Sequence, residues 1–128
     1  MTDCPFCRRI AESAITLSNE LAAAFPDGYP VSAGHTLIVP RRHIEDFFNL
    51  TPEEHAAIYN LVAPVRRQIE TRHAPDGYNL GVNIGTAAGQ TVSHAHFHVI
   101  PRYAGDVADP RGGIRWVIPP KAVYWRQP

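Results

Sequence analysis

The chain has little cysteine, little methionine and no excess charge: two Cys, one Met, and twelve Lys and Arg against twelve Asp and Glu in 128 residues. Two cysteines cannot build a disulfide framework, and Cys4 and Cys7 stand so close that bridging them would close almost no loop. Zero formal charge argues against a general nucleic-acid surface, which needs a basic stripe, but a small anion needs only local positive charge. No window approaches a run of about eighteen apolar residues, so no membrane contact is expected. Residues 1–13 hold no apolar stretch before a small-residue cleavage site, and the C-terminus has no lipidation motif. The expectation is a soluble, cytoplasmic protein in a reducing compartment. Repeats, linkers, a P-loop and a dinucleotide-binding glycine turn are missing too. Residues 1–128 read as one domain with a C-terminal tail from about residue 103, long enough to bury a core.

Periodicity supplies the elements. Pro5 to Ala11 suits one or two helical turns. Residues 21–25 form a short apolar run stopped by Pro26-Asp27-Gly28, and read as a strand despite their alanines. Residues 26–34 are a loop, and 35–39 a buried strand closed by Pro40. Ile44, Phe47 and Phe48 suit a short helix. Thr51-Pro52-Glu53-Glu54 is a helix start, with a Thr cap, a proline in the first turn and Glu three residues after the cap. Ile58, Leu61, Val62, Val65 and Ile69 continue it on one apolar stripe, with a kink expected at Pro64. Residues 78–84 alternate as a half-buried strand, 85–90 are a small-residue loop, and 91–100 alternate for longer. The tail segment 111–124 suits an edge strand or a clasp. The fold class is α+β: a mainly antiparallel sheet, one long helix and one or two short ones.

Histidine is what the chain has in abundance, with seven residues. In His94-Ala95-His96-Phe97-His98 the strand period of two puts three imidazoles on one face. The preceding turn can present backbone N–H groups to an anion, with Gln90, Thr91 and Ser93 adding side-chain donors. A phosphate fits between them and the imidazoles. Neutral imidazole is a competent nucleophile near pH 7, and a neighbouring imidazolium can stabilise phosphoryl charge or protonate a leaving group. Three alternating histidines also suit a metal triad. Cys4-Pro5-Phe6-Cys7 suits metal binding or redox chemistry; the redox site would need a preceding strand, and only three residues come before Cys4.

Residues 89–102, Gln90-Thr91-Val92-Ser93-His94-Ala95-His96-Phe97-His98 among them, resemble the signature of the histidine triad (HIT) family. The likeness extends to His35 through Ile44, to Phe25-x-Asp27 and to Val82-Asn83-x-Gly85, and so covers most of the domain. It implies the HIT fold and two-step nucleotidyl transfer. His96 would attack the α-phosphorus of a nucleoside phosphoramidate or dinucleoside polyphosphate, and water would release a nucleoside monophosphate. His98, Gln90 and Thr91 would hold phosphate oxygens, Asn83 would edge the site, Asp27 would bind ribose hydroxyls and His35 would orient the triad. Phe6, Ile10 and Phe25 would enclose the base. Bacterial-type members carry the Cys-x-x-Cys, so Cys4, Cys7, His43 and His94 would hold a structural zinc, leaving His94 to orient His96. Catalysis itself would need no cofactor. Arg102, Arg111, Arg115 and Lys121 tilt the choice slightly toward polyphosphates. The alternative is a nucleotide-binding adaptor with negligible turnover. The resemblance also implies a homodimer, although the Ile58–Ile69 stripe can equally serve the core.

Overall fold

The computed structural model describes residues 3–126. The order is α1 (Pro5–Ala11), β1 (Leu17–Ser18), β2 (Ala22–Pro26), β3 (Thr36–Pro40), α2 (Pro52–Glu70), β4 (Gly77–Gly81), β5 (Phe97–Arg102) and α3 (Pro119–Ala122), with 3-10 turns at Phe47–Asn49, Thr86–Ala88 and Gly113–Val117. The five strands form one antiparallel sheet in the order β1-β2-β3-β5-β4. The α+β expectation holds.

Alternation along the strands divides the core. Ala22, Ala24, Ile38, Phe97 and Val99 pack with Ile58, Leu61, Val65 and Ile69 of α2. Phe25, Leu37 and Val39 pack on the other face with Cys4 and Phe6 of the α1 segment. Ala22, Ala23 and Ala24 are fully buried, so small size matters more here than weak strand propensity: it lets α2 and its opposite layer approach the sheet. β1 was not foreseen, because two residues are too few to carry a period.

The capping box at α2 is formed. Thr51 Oγ1 accepts from the Glu54 N–H at 3.1 Å, and Glu54 Oε1 accepts from the Thr51 N–H at 2.9 Å. Pro64 sits within a helix that runs from Pro52 to Glu70 without a break.

Two strands are shorter than periodicity suggests. β4 ends at Gly81, and β5 begins only at Phe97, so His94 and His96 precede the strand proper. Their backbone bonds elsewhere: Ala95 N–H donates to Ile44 O at 2.7 Å, and the His94 carbonyl accepts from a side chain. Alternation of side chains nevertheless outlasts the ladder: Ala95 joins Phe97 and Val99 in the core under α2, while His94 and His96 pack on Phe6. The expected edge strand is not formed among the tail's described residues, which hold the 3-10 turn and α3 braced by bonds within the tail. Trp116 Nε1 donates to Arg111 O, and the Arg115 guanidinium donates to the carbonyls of Lys121 and Ala122.

Glu54 also accepts two bonds from Arg42, at 3.0 and 2.8 Å. Those bonds chiefly, helped by the Thr51 N–H and opposed by burial, pull its carboxyl from 4.5 to about 2. Its contribution to stability is therefore present above pH 4.5 and lost as pH falls toward 2. Glu54→Gln is expected to cost about 1–2 kcal/mol at pH 7, kept modest by the half-exposed Arg42. Urea unfolding of both proteins should show that gap at pH 7 and a smaller one at pH 3.

Candidate active site and metal cluster

The β3–β5 register places Leu37 opposite His98 and brings the end of the 27–35 loop beside it. Val31 N–H donates to His35 Nδ1 at 3.2 Å, so that nitrogen carries a lone pair and Nε2 carries the proton. His35 Nε2 lies 2.9 Å from His98 Nδ1 and donates to it. His98 must then hold its proton on Nε2, and that atom, shut off from solvent, has no hydrogen-bond partner among the described residues. Burial first, then the neighbouring His96 and His35, push His98 down to about 4. Burial also lowers His35, against the pull of Asp27, whose Oδ2 lies 3.4 Å away. Both rings are neutral at pH 7. This chain of bonds ends in a free N–H donor.

His96 is 7% exposed, and its Nδ1 donates to the His94 carbonyl at 2.8 Å. In the neutral ring this leaves the lone pair on Nε2. The ring centroid lies 5.1 Å from His98 and 5.1 Å from Phe6, which packs edge-on. A ring with a free lone pair thus stands beside one with a free N–H.

The loop before the triad turns at Gly85 and Gly89, whose φ values of 87° and 93° are ones that side-chain-bearing residues rarely adopt. Gln90 braces it from inside. Its Oε1 accepts from Gly85 N–H at 2.8 Å, and its Nε2 donates to the carbonyls of Glu45 and Val92, each at 3.0 Å. Both amide hydrogens are engaged, leaving neither for a phosphate. Thr91 and Ser93 are exposed and line a cavity with Cys4 and His43. Asn83 is half-buried and shares a different groove with His35 and His98. Asp27 Oδ1 accepts from Tyr29 N–H, an Asx turn that leaves Oδ2 facing His35.

Behind the triad, one ligand atom from each of Cys4, Cys7, His43 and His94 lies within 4.8 Å of all the others. Cys7 Sγ is 3.2 Å from His43 Nδ1, and both sulfurs are 3.5 Å from His94 Nδ1. His94 Nε2 donates to Pro40 O at 2.8 Å, so Nδ1 turns its lone pair to the sulfurs. In tetrahedral zinc with two thiolates and two imidazoles, S···N spacing is about 3.6 Å. The set fits zinc in donor type, tautomer and spacing. Asp27, His35 and His98 form a second close group, but there the His35 proton already occupies the space between the rings.

The HIT domain family matches residues 8–105. The chain belongs to that family. An uncharacterized HIT-like protein of Methanocaldococcus jannaschii is 39% identical over 108 residues, spanning 80% of this chain and 81% of the relative. A bis(5′-nucleosyl)-tetraphosphatase of Schizosaccharomyces pombe is 35% identical over 97 residues, 76% of this chain but 53% of that enzyme. A crystal structure of a zinc-bound histidine triad family protein from Mycobacterium smegmatis superposes with a TM-score of 0.75 at 32% identity, covering 84% of this chain and 81% of that one.

Sequence reasoning did not reveal Val31 or Pro40, since backbone N–H and C=O groups leave no residue-specific signal. Nor did it place Ile114, Trp116 and Val117 of the tail in one groove with His98. Gln90→Ala removes the loop brace and is expected to cost about 1–3 kcal/mol. Hydrogen exchange should accelerate at the Gly85 amide while amides of α2 keep their relative protection.

Proposed function

We propose that the protein cleaves the α-phosphoryl bond of a nucleoside 5′-phosphoramidate or dinucleoside polyphosphate through a nucleotidyl-histidine intermediate. The observation that carries this is the pairing of tautomers: the His96 Nε2 lone pair beside the unpartnered His98 Nε2–H. His96 Nε2 attacks phosphorus, and the Nε2–P bond forms as the bond to the leaving group breaks. The leaving group departs with that electron pair and takes a proton from solvent. Water then attacks phosphorus, the Nε2–P pair returns to His96, and one proton goes back to solvent. The nucleoside monophosphate is released.

In this reading His98 Nε2–H holds a phosphoryl oxygen, a role that suits a ring kept neutral by burial. Backbone N–H groups of the 85–93 loop and the Thr91 hydroxyl add donors, and Gln90 positions that loop. Asp27 accepts from the ribose hydroxyls and Asn83 edges the phosphate. Phe6, Ile10 and Phe25 enclose the base, supported by the apolar cluster they share. His35 is a positioning residue. Cys4, Cys7, His43 and His94 hold a structural zinc, which ties the N-terminal segment to the triad and carries no step of the reaction. β4 is the last strand of the sheet, where a second copy would extend it into the homodimer that the family resemblance implies.

Turnover of adenosine 5′-phosphoramidate and diadenosine tetraphosphate tests the mechanism. Wild type is expected to release AMP, and His96→Ala to lose about a thousandfold or more. Equal release by both would put the chemistry on another residue; AMP binding without any turnover would make the protein an adaptor. For the metal, elemental analysis of protein purified without chelator should find one zinc per chain, reduced by Cys7→Ser. Zinc-free, fully stable protein would overturn the assignment.

A further inference from the structure

The loop between β2 and β3 carries the amide that decides the tautomer of His35, yet its own side chains bury little of it: Tyr29 is 91% exposed and Val31 71%. Two bonds to the end of β5 anchor it instead. Ser32 Oγ donates to Pro101 O at 2.6 Å, and Tyr103 Oη donates to Ala33 O at 2.6 Å. The pair is reciprocal: a loop side chain bonds the strand backbone, and a side chain just past the strand bonds the loop backbone. Gly34, at φ 93°, lies so close to its neighbours that a Cβ there would stand 3.0 Å from Ile69 and 3.3 Å from Pro101. From this fixed stretch His35 N–H donates back to Ser32 O at 3.1 Å, and Val31 N–H meets His35 Nδ1 at 3.2 Å.

We infer that Ser32 and Tyr103 are positioning residues for the reaction: by seating the Val31 amide on His35, they fix His98 as a donor toward the substrate rather than an acceptor. The inference rests on the hydrolase reading above and adds two residues to it. A neutral imidazole carries one proton. While Val31 N–H fills the lone pair of His35 Nδ1, the His35 proton lies on Nε2, His98 Nδ1 accepts it, and the outward His98 Nε2 carries its N–H. Once the loop withdraws, His35 can hold its proton on Nδ1. The 2.9 Å bond between the rings then reverses, with His98 Nδ1 donating and His98 Nε2 left with a lone pair. That lone pair would repel the phosphoryl oxygen that the N–H holds. Asp27 Oδ2, 3.4 Å from His35 Nε2, pulls toward the same tautomer, and its Oδ1 accepts from Tyr29 N–H of the same loop. Both influences on the paired rings thus come from one segment, and Ser32 and Tyr103 hold that segment to the sheet.

Nitrogen-15 spectra of the histidine side chains read the tautomer of His98, and turnover of adenosine 5′-phosphoramidate reads its effect. In wild type His98 should carry its proton on Nε2. In the Ser32→Ala, Tyr103→Phe double variant its two nitrogen shifts should move toward each other as the tautomers mix. There kcat should fall about tenfold or more, part of what removing a donor from a developing oxyanion costs. The fall should be larger in kcat than in KM, because charge on that oxygen grows toward the transition state. Each single variant should lie between, and Ser32→Thr, which keeps the hydroxyl, should match wild type in both readouts. Unchanged His98 shifts in the double variant, or a loss in Ser32→Thr equal to that in Ser32→Ala, overturns the inference and leaves the hydrolase reading standing. No AMP from wild type overturns the hydrolase reading and with it the catalytic consequence, while the shifts alone still decide whether Ser32 and Tyr103 set the tautomer.

Discussion

His94 is bonded at three atoms and has no solvent exposure. Its Nε2 donates to the Pro40 carbonyl, its Nδ1 turns to both cysteines, and its own carbonyl takes the Nδ1 proton of His96. Each bond fixes the next. The Pro40 carbonyl selects the tautomer whose lone pair meets the Cys/His cluster. The His94 backbone, held by that ring, then takes the Nδ1 proton of His96, which leaves Nε2 of the neutral ring with the lone pair. One side chain, through its ring and its own backbone, thus fixes the tautomer of its neighbour.

The same logic runs from the opposite direction through the Val31 amide, His35 and His98. Desolvation first, and then the neighbouring His96 ring, keep His35, His94 and His98 below their ordinary values. Neutrality is useful here. A neutral ring with its proton held on the outward nitrogen is a directional donor, and it leaves the neighbouring lone pair free. The unpartnered His98 Nε2 is the cost of that arrangement, since a buried N–H without an acceptor is unfavourable until a ligand supplies one.

The tail gives the site its individuality. The sheet, the triad and the loop lie within the stretch shared with other HIT domains, whereas Ile114, Trp116 and Val117 lie beyond it. Its internal bonds, from Trp116 Nε1 to Arg111 O and from Arg115 to two carbonyls, make it a small self-braced unit. Four basic residues that suggested a surface for a second nucleotide follow the triad in sequence. In the folded chain Arg102, Arg111 and Arg115 are engaged with carboxylates, carbonyls and rings, and Lys121 does not line the groove.

Much was legible in the residues alone because it depends on local periodicity. The alternation of His94, His96 and His98, the Thr51–Glu54 capping box, the stripe from Ile58 to Ile69 and the glycines at 85 and 89 all act over a few residues. The resemblance to a known family added the Cys4, Cys7, His43 and His94 set. Tertiary structure decided what depends on distant backbone. It set which nitrogen of each imidazole holds its proton, through Pro40 and Val31. It turned Gln90 from an expected phosphate donor into a loop brace. It started β5 only at Phe97 and so took His94 and His96 out of the ladder, and it laid the tail beside His98. Hydrogen-bond partners and charge pairs of this kind are matters of spatial proximity, and no spacing along the chain encodes them.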